Sequence, residues 1–256
     1  MIRALVSLGT NSTRLLIVDG ERRIAGESRG TRLGTRIGAS GHIDPQARER
    51  TLAAVDEYVL LARAAGVEVV DAVATSVLRR ASDGEDFVRA IAERVGVRPR
   101  ILLGAEEAAY SFLGATRARP AQQLAGVLDV GGGSAELGID VPREAQTQGR
   151  VAHVYSIEIG AVRLAERHPA LLGARGLRCD ERRALEREAR DDAAEFLAPY
   201  ADVPRIPTLI AVGGTVFTAA LMQSAGEADG VVLTRADVAA LIDALLARDL
   251  AARRAM

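Results

Sequence analysis

The chain has 256 residues, 48% hydrophobic and 26% charged, which is too apolar for a disordered chain and long enough for two packed lobes of ordinary domain size. Its formal net charge of -1 provides no overall field for nucleic acid or an anionic membrane, so anion binding has to come from locally arranged groups. The single cysteine, Cys179, excludes an intramolecular disulfide and lacks the paired Cys/His spacing of a structural zinc site. All basic side chains are arginine and none is lysine, a bias that a GC-rich genome explains as well as a need for bidentate anion contacts does. Arg14, Asp19 and Glu21 interrupt the N-terminal apolar stretch, so neither a signal peptide nor a membrane span is expected, and a reducing cytoplasm is the expected setting.

In chain order, residues 2–8 read as a strand, Arg14 to Asp19 as the next, and Arg22 to Ser28 as a third, with a tight turn at Gly9-Thr10-Asn11-Ser12 joining the first two. Asp44-Pro45 opens a helical pattern over 46–65 that Gly66 stops. Val67 to Ala74 reads as a buried strand, 85–95 as a helix, 100–103 as a short strand and 106–113 as a helix, the alternation of an α/β fold. The polar segment Arg117 to Gln123, with Pro120, sets the expected boundary between lobes 1–120 and 121–256. Beyond it come a strand and the turn Gly131-Gly132-Gly133-Ser134, strands near 151–159 and 208–212, a charged helix over 180–197, a Gly213-Gly214 turn opening a helix at Thr215, and a helix over 235–247 capped by Thr234.

Superposing Gly9 on Gly131 also superposes Ser12 on Ser134 and Ser7 on Asp129, the mark of an internal duplication. Glycine turns at strand ends let backbone N–H groups reach phosphate oxygens without a Cβ in the way. One such turn alone is an ordinary tight hairpin. Three of them, at Gly9, Gly131 to Gly133 and Gly213-Gly214, all after apolar strands and two in common register, point to a phosphate-binding cleft between the halves of an α/β protein. Thr10, Asn11, Ser12, Ser134 and Thr215 lie in or beside these turns, and the side chains of Asn11, Ser12 and Ser134 can add donors.

The segments Val6-Ser7-Leu8-Gly9-Thr10-Asn11-Ser12, Ala74-Thr75-Ser76-Val77-Leu78-Arg79, Gly104-Ala105-Glu106-Glu107-Ala108, Asp129-Val130-Gly131-Gly132-Gly133-Ser134-Ala135-Glu136, Ile159-Gly160-Ala161-Val162-Arg163-Leu164 and Val212-Gly213-Gly214-Thr215 resemble, in order, motifs of the exopolyphosphatase and guanosine pentaphosphate phosphohydrolase family. The resemblance implies a two-lobed, duplicated actin-like (ribonuclease H-like) ATPase fold and metal-assisted removal of terminal phosphate from polyphosphate or a phosphorylated guanosine nucleotide. It implies that Glu107 is the catalytic base beside a structural Glu106, and that Glu136 joins Asp129 in holding Mg²⁺ or another divalent cation. It also implies that Arg79 contacts substrate. Taken alone, Glu107 reads as a first-turn helix acid, Arg79 as a surface arginine and Glu136 as a solvated strand residue. Asp129, ending its strand before the triple glycine, suits either a turn or Mg²⁺. His42, His153 and His168 have no ligand spacing and are assigned no role.

Two departures from the family pattern shape the expectation. Ser7 stands where the family usually carries an aspartate, which removes one hard charged oxygen from a metal site. The chain also ends soon after a helix where the family normally continues, and two readings stay open: a natural chain whose second lobe covers its exposed face in another way, such as a homodimer, or a truncated one of reduced stability. The leading expectation is an exopolyphosphatase. The alternatives are a guanosine pentaphosphate 5′-phosphatase, a weakly active or non-catalytic polyphosphate or nucleotide binder, and, last, an actin-like kinase.

Overall fold

The computed structural model describes residues 1–117, 125–139, 153–173, 176–203, 206, 208–224 and 226–256, so most of the expected break at Arg117 to Gln123 lies outside the described residues. The chain forms two compact units, Met1–Glu107 with Gly131–Gly133, and Ala108–Val130 with Ser134–Met256.

The first unit runs β1 (Ile2–Leu8), β2 (Thr13–Asp19), β3 (Arg22–Arg29), α1 (Ile37–Ser40), α2 (Pro45–Ala64), β4 (Val70–Ala74), α3 (Ser76–Arg80), α4 (Gly84–Val95) and β5 (Arg100–Ile101). Helix α5 (Gly104–Thr116) begins in this unit, and its residues from Ala108 belong to the second. The sheet order is β3-β2-β1-β4-β5, antiparallel across β1 to β3 and parallel from β1 through β4 to β5. Period-2 alternation puts Ala4, Val6, Leu8, Leu15 and Ile17 on one buried face. They form one core with Val55, Tyr58 and Val59 of α2 and Phe87, Val88 and Ile91 of α4.

Local signals explain the helix ends. The Asp44 side chain accepts from Ala47 N at 2.9 Å, with Pro45 at the first helical position. Gly66 and Gly96 stop α2 and α4 at φ +81° and +73°, a conformation that costs residues with a Cβ. Two elements differ from the sequence expectation. Strand β4 starts at Val70, where pairing with Ala4 begins, because the pattern of apolar residues from Val67 has no partner strand before that point. The residues after it form a short helix, α3, where the sequence pattern predicts no element.

The second unit contains β6 (Ala125–Val130), β7 (Ala135–Ile139), β8 (His153–Ile157), α6 (Ala161–Arg167), α7 (Cys179–Leu197), β9 (Thr208–Val212), α8 (Gly214–Gln223), α9 (Arg235–Leu246) and α10 (Leu250–Arg254). Its sheet order, β8-β7-β6-β9, repeats β3-β2-β1-β4. The register repeats as well: Ser7 opposes Arg14 as Asp129 opposes Glu136, and Leu8 opposes Thr13 as Val130 opposes Ala135. Parallel pairing then places Val73 beside Ser7 and Val212 beside Asp129. The duplication expected from the two glycine turns is therefore present strand for strand.

Helix α5 packs closely on β7, where a Cβ on Gly138 would lie 2.9 Å from that of Phe112. Thr234 and Asp237 cap α9 reciprocally, and α10 follows beyond the last helix expected. His168 and Arg167 both bind Asp192, tying the end of α6 to α7; the carboxyl of Asp192 is held below the usual aspartate range chiefly by the Arg167 hydrogen bonds. No helix among the described residues is long and apolar enough to cross a membrane.

Replacing Asp44 by Ala removes the acceptor at the start of the longest helix of the first unit. A loss of about 1 kcal/mol in unfolding free energy is expected, read from the shift of a urea midpoint at unchanged slope.

Candidate active site

The first glycine turn is pinned from both sides. Gly9 N donates to Ser12 O at 3.0 Å, and Arg32 N and Gly34 N donate to the carbonyls of Asn11 and Thr10 at 2.9 and 2.8 Å. Arg32 reaches this position with a positive φ of 51°. Beneath the turn, the buried hydroxyls of Thr13 and Thr31 meet at 2.9 Å. With its carbonyls committed to the scaffold, the turn presents the side chains of Thr10, Asn11 and Ser12.

Strand β4 leaves the same sheet edge beside this turn, Thr75 N donating to Leu8 O at 3.2 Å. In the following helical turn, Arg79 Nη1 donates to Leu102 O and to Glu107 Oε2, both at 2.8 Å. The Arg79 and Glu107 side chains are only 15% and 16% exposed, so the pair sits largely out of water, where each charge depends on the other. Arg79 Nη2 and the Ser76 hydroxyl are buried without a hydrogen-bond partner among the described residues. Such orphaned donors ordinarily cost about 1–3 kcal/mol each. In the same unit, a Cβ on Gly133 would lie 2.5 Å from Thr10 Oγ1 and 2.9 Å from Ser76 Oγ. Only glycine keeps that space open.

Glu106 and Glu107 are adjacent in sequence and divide cleanly. Glu106 accepts from Leu103 N at 2.8 Å and from Arg100 at 2.6 Å, closing the start of α5. The Leu103 amide first, then Arg100, holds its carboxyl below the ordinary glutamate value of 4.5.

In the second unit, Asp129 and Glu136 are direct cross-strand partners and so share a face of the sheet. Asp129 Oδ2 accepts from Ser111 of α5 at 2.6 Å. A Cβ on Gly213 would come within 2.5 Å of Asp129 Oδ1 and 2.7 Å of Val130 O, and Gly213 also has φ +95°, so glycine is required there twice over. Glu136 is 1% exposed and accepts from Ser156 at 3.2 Å, while Tyr200 fixes the Ser156 carbonyl at 2.8 Å. The expectation of a solvated strand residue at Glu136 is thus not met; it is buried, with Ser156 of β8 directly opposite it. Ser134 is buried beside it, and Gly214 and Thr215 open α8 at the surface.

The structure therefore gathers Gly9, Thr10, Asn11, Ser12, Arg79, Glu107 and Gly133 in the first unit, and Asp129, Ser134, Glu136 and Gly213 in the second. Ser76, Ser111 and Ser156 were not singled out from sequence. Ser156 is legible once β8 is paired with β7, since it opposes Glu136 directly. Ser111 and Ser76 carry no motif that marks their partners or lack of them.

Because the folded pKa of Glu106 is depressed, its ionised form is the stabilising one. That contribution is fully present above the ordinary glutamate value and lost as pH falls through the lower folded value. Glu106→Gln is accordingly expected to lower the thermal midpoint at neutral pH, with the difference from the parent protein closing under acid conditions, in melting curves recorded across a pH series.

The model described as the Ppx/GppA phosphatase family matches residues 17–255. Exopolyphosphatase 2 of Mycobacterium tuberculosis is 35% identical over 178 residues, which is 64% of this chain and 54% of that protein. Exopolyphosphatase 1 of Mycobacterium leprae is 28% identical over 167 residues, 62% of this chain and 47% of that protein. The chain thus spans about half the length of the curated relatives it matches. Among solved structures, an exopolyphosphatase-like protein has a TM-score of 0.88 at 31% identity, covering 99% of this chain and 81% of that one. An exopolyphosphatase from Cytophaga hutchinsonii has a TM-score of 0.82 at 25% identity, with coverages of 100% and 83%. The fold is the duplicated α/β one shared with these solved structures, and the chain belongs to the Ppx/GppA phosphatase family.

Proposed function

We propose that the protein is a phosphoanhydride hydrolase releasing terminal phosphate from inorganic polyphosphate. The observation that carries the proposal is the Glu107–Arg79 pair with its unpartnered Nη2. It sets a carboxylate able to orient and deprotonate water next to a guanidinium with donor capacity for a phosphoryl oxygen. Attack of that water on the terminal phosphorus forms one P–O bond and breaks the bridging one, leaving orthophosphate and a chain shorter by one unit. Arg79 counters the repulsion between the Glu107 carboxylate and the anionic substrate. In the first unit Thr10, Asn11 and Ser12 of the glycine turn would add donors for substrate phosphates, and in the second Ser134 and Thr215 are donors of the same kind.

Asp129 and Glu136 would hold Mg²⁺. Two hard carboxylates on one sheet face suit that ion, which is commonly bound by one or two carboxylates with substrate oxygens and water completing its shell. Among the described residues there is no group of three His, Cys, Asp or Glu that would form an all-protein cage. When bound, the ion would supply charge stabilisation to the phosphoryl oxygens. The names of the relatives favour polyphosphate over guanosine pentaphosphate as substrate.

Glu107→Gln keeps an acceptor for Arg79 while removing the base. It is expected to lower kcat on medium-chain polyphosphate with Mg²⁺ by about 10²–10⁴-fold without changing the fold seen by circular dichroism. Equal phosphate release by the two proteins would overturn the assignment of Glu107.

Ser7, in the position matching Asp129 and opposite Arg14, favours a second reading in which the protein binds polyphosphate and turns it over poorly. Ser7→Asp separates the two: a handicapped hydrolase gains several-fold in turnover at limiting Mg²⁺, and a binder gains none.

A further inference from the structure

Ser76 is a buried hydroxyl of the first unit that has no hydrogen-bond partner among the described residues and that the proposed chemistry does not yet use. It is 2% exposed. It lies three residues before Arg79 in α3, so the two side chains leave the same side of one helical turn. Both end in a buried donor without a partner among the described residues. An unmade hydrogen bond of this kind is costly and persists where a ligand completes it.

The surroundings specify that ligand. The Ser76 hydroxyl and Thr10 Oγ1 converge closely on the backbone of Gly133, where a Cβ would come within 2.9 and 2.5 Å of them. That is a pair of hydroxyls beside a backbone without a Cβ. With the guanidinium of Arg79, this is a set of donors and a positive charge matched to an anion carrying several acceptor oxygens.

We propose that Ser76 is a substrate-binding residue whose hydroxyl donates to a phosphoryl oxygen in the first unit, alongside Arg79 and Thr10. The proposal rests on the reading of the protein as a phosphate-releasing hydrolase. As a neutral donor, Ser76 adds directional grip without adding charge, so it acts on substrate affinity and leaves proton transfer at Glu107 alone. Because its hydroxyl has no partner among the described residues, removing it relieves an unmade hydrogen bond and is expected to leave the fold at least as stable.

The test compares the parent protein with Ser76→Ala in three measurements: the thermal midpoint without ligand, the affinity for inorganic phosphate by calorimetry, and the kinetics on polyphosphate. The expected result is a midpoint equal to or above the parent's, phosphate affinity weakened at least several-fold, and KM raised by a similar factor with kcat within about twofold. Unchanged affinity and KM would overturn the assignment of Ser76. So would a lowered midpoint, which would show the hydroxyl to be a structural donor. If the parent protein itself neither binds phosphate nor releases it, the hydrolase reading fails along with this one, an outcome told apart by the parent measurements alone.

Discussion

The ion pair between Arg79 and Glu107 is the constraint around which the first unit's site is arranged. Two charges largely removed from water are tolerated only when paired and further hydrogen-bonded, and losing either partner strands the other. Here the guanidinium is anchored by the Leu102 carbonyl as well as by Glu107. That requires α3 to leave β4, and α5 to follow β5, so that Arg79 and Glu107 meet. Leu102 N donates to Ala74 O at 2.8 Å, locking the segment before α5 to the end of the strand before α3. The pair is thus a consequence of parallel β4–β5 pairing, which no local sequence signal dictates.

A pair so placed restricts what else Arg79 can do. One nitrogen is fully engaged, which fixes the plane of the fork, and the other is left with a hydrogen to give. A flexible surface arginine would pay rotamer entropy to grip a phosphate, whereas this one is ordered before any ligand arrives. Arg79 Nη2 and the Ser76 hydroxyl, without partners among the described residues, are stability forgone that the proposed phosphate contacts would recover.

The two halves repeat one hairpin and then diverge on the face opposite the repeated turn. At the first hairpin the cross-strand pair is Ser7 and Arg14, and Arg14 is exposed. At the second it is Asp129 and Glu136, and the face is covered by α5, whose Ser111 binds Asp129 while Phe112 packs at Gly138. Burying carboxylates demands hydrogen-bond donors, and Ser111 and Ser156 meet that demand. Divergence at equivalent positions accompanies a difference in what packs over the sheet: the first pair carries the exposed Arg14, and the second carries two carboxylates held by serine donors.

Much of this was readable from the chain alone. Period-2 alternation located the hairpin strands, Asp44-Pro45 and Gly66 bracketed α2, Thr234 marked α9, and the matched positions of Gly9 and Gly131 disclosed the duplication, because all of these depend on neighbours within a few residues. The start of β4, the existence of α3, the burial of Glu136 and the pairing of Glu107 were not readable, because each is decided by a partner far along the chain. Glu106 finds Leu103 and Arg100 nearby, but Glu107 finds Arg79 across 28 residues. By itself the sequence determined which residue types could grip phosphate and where its turns would fall. Only the tertiary structure decided which donors are already spent and which, Arg79 Nη2 and Ser76 Oγ among them, are left buried without a partner, since a hydrogen bond is a property of two groups brought together in space.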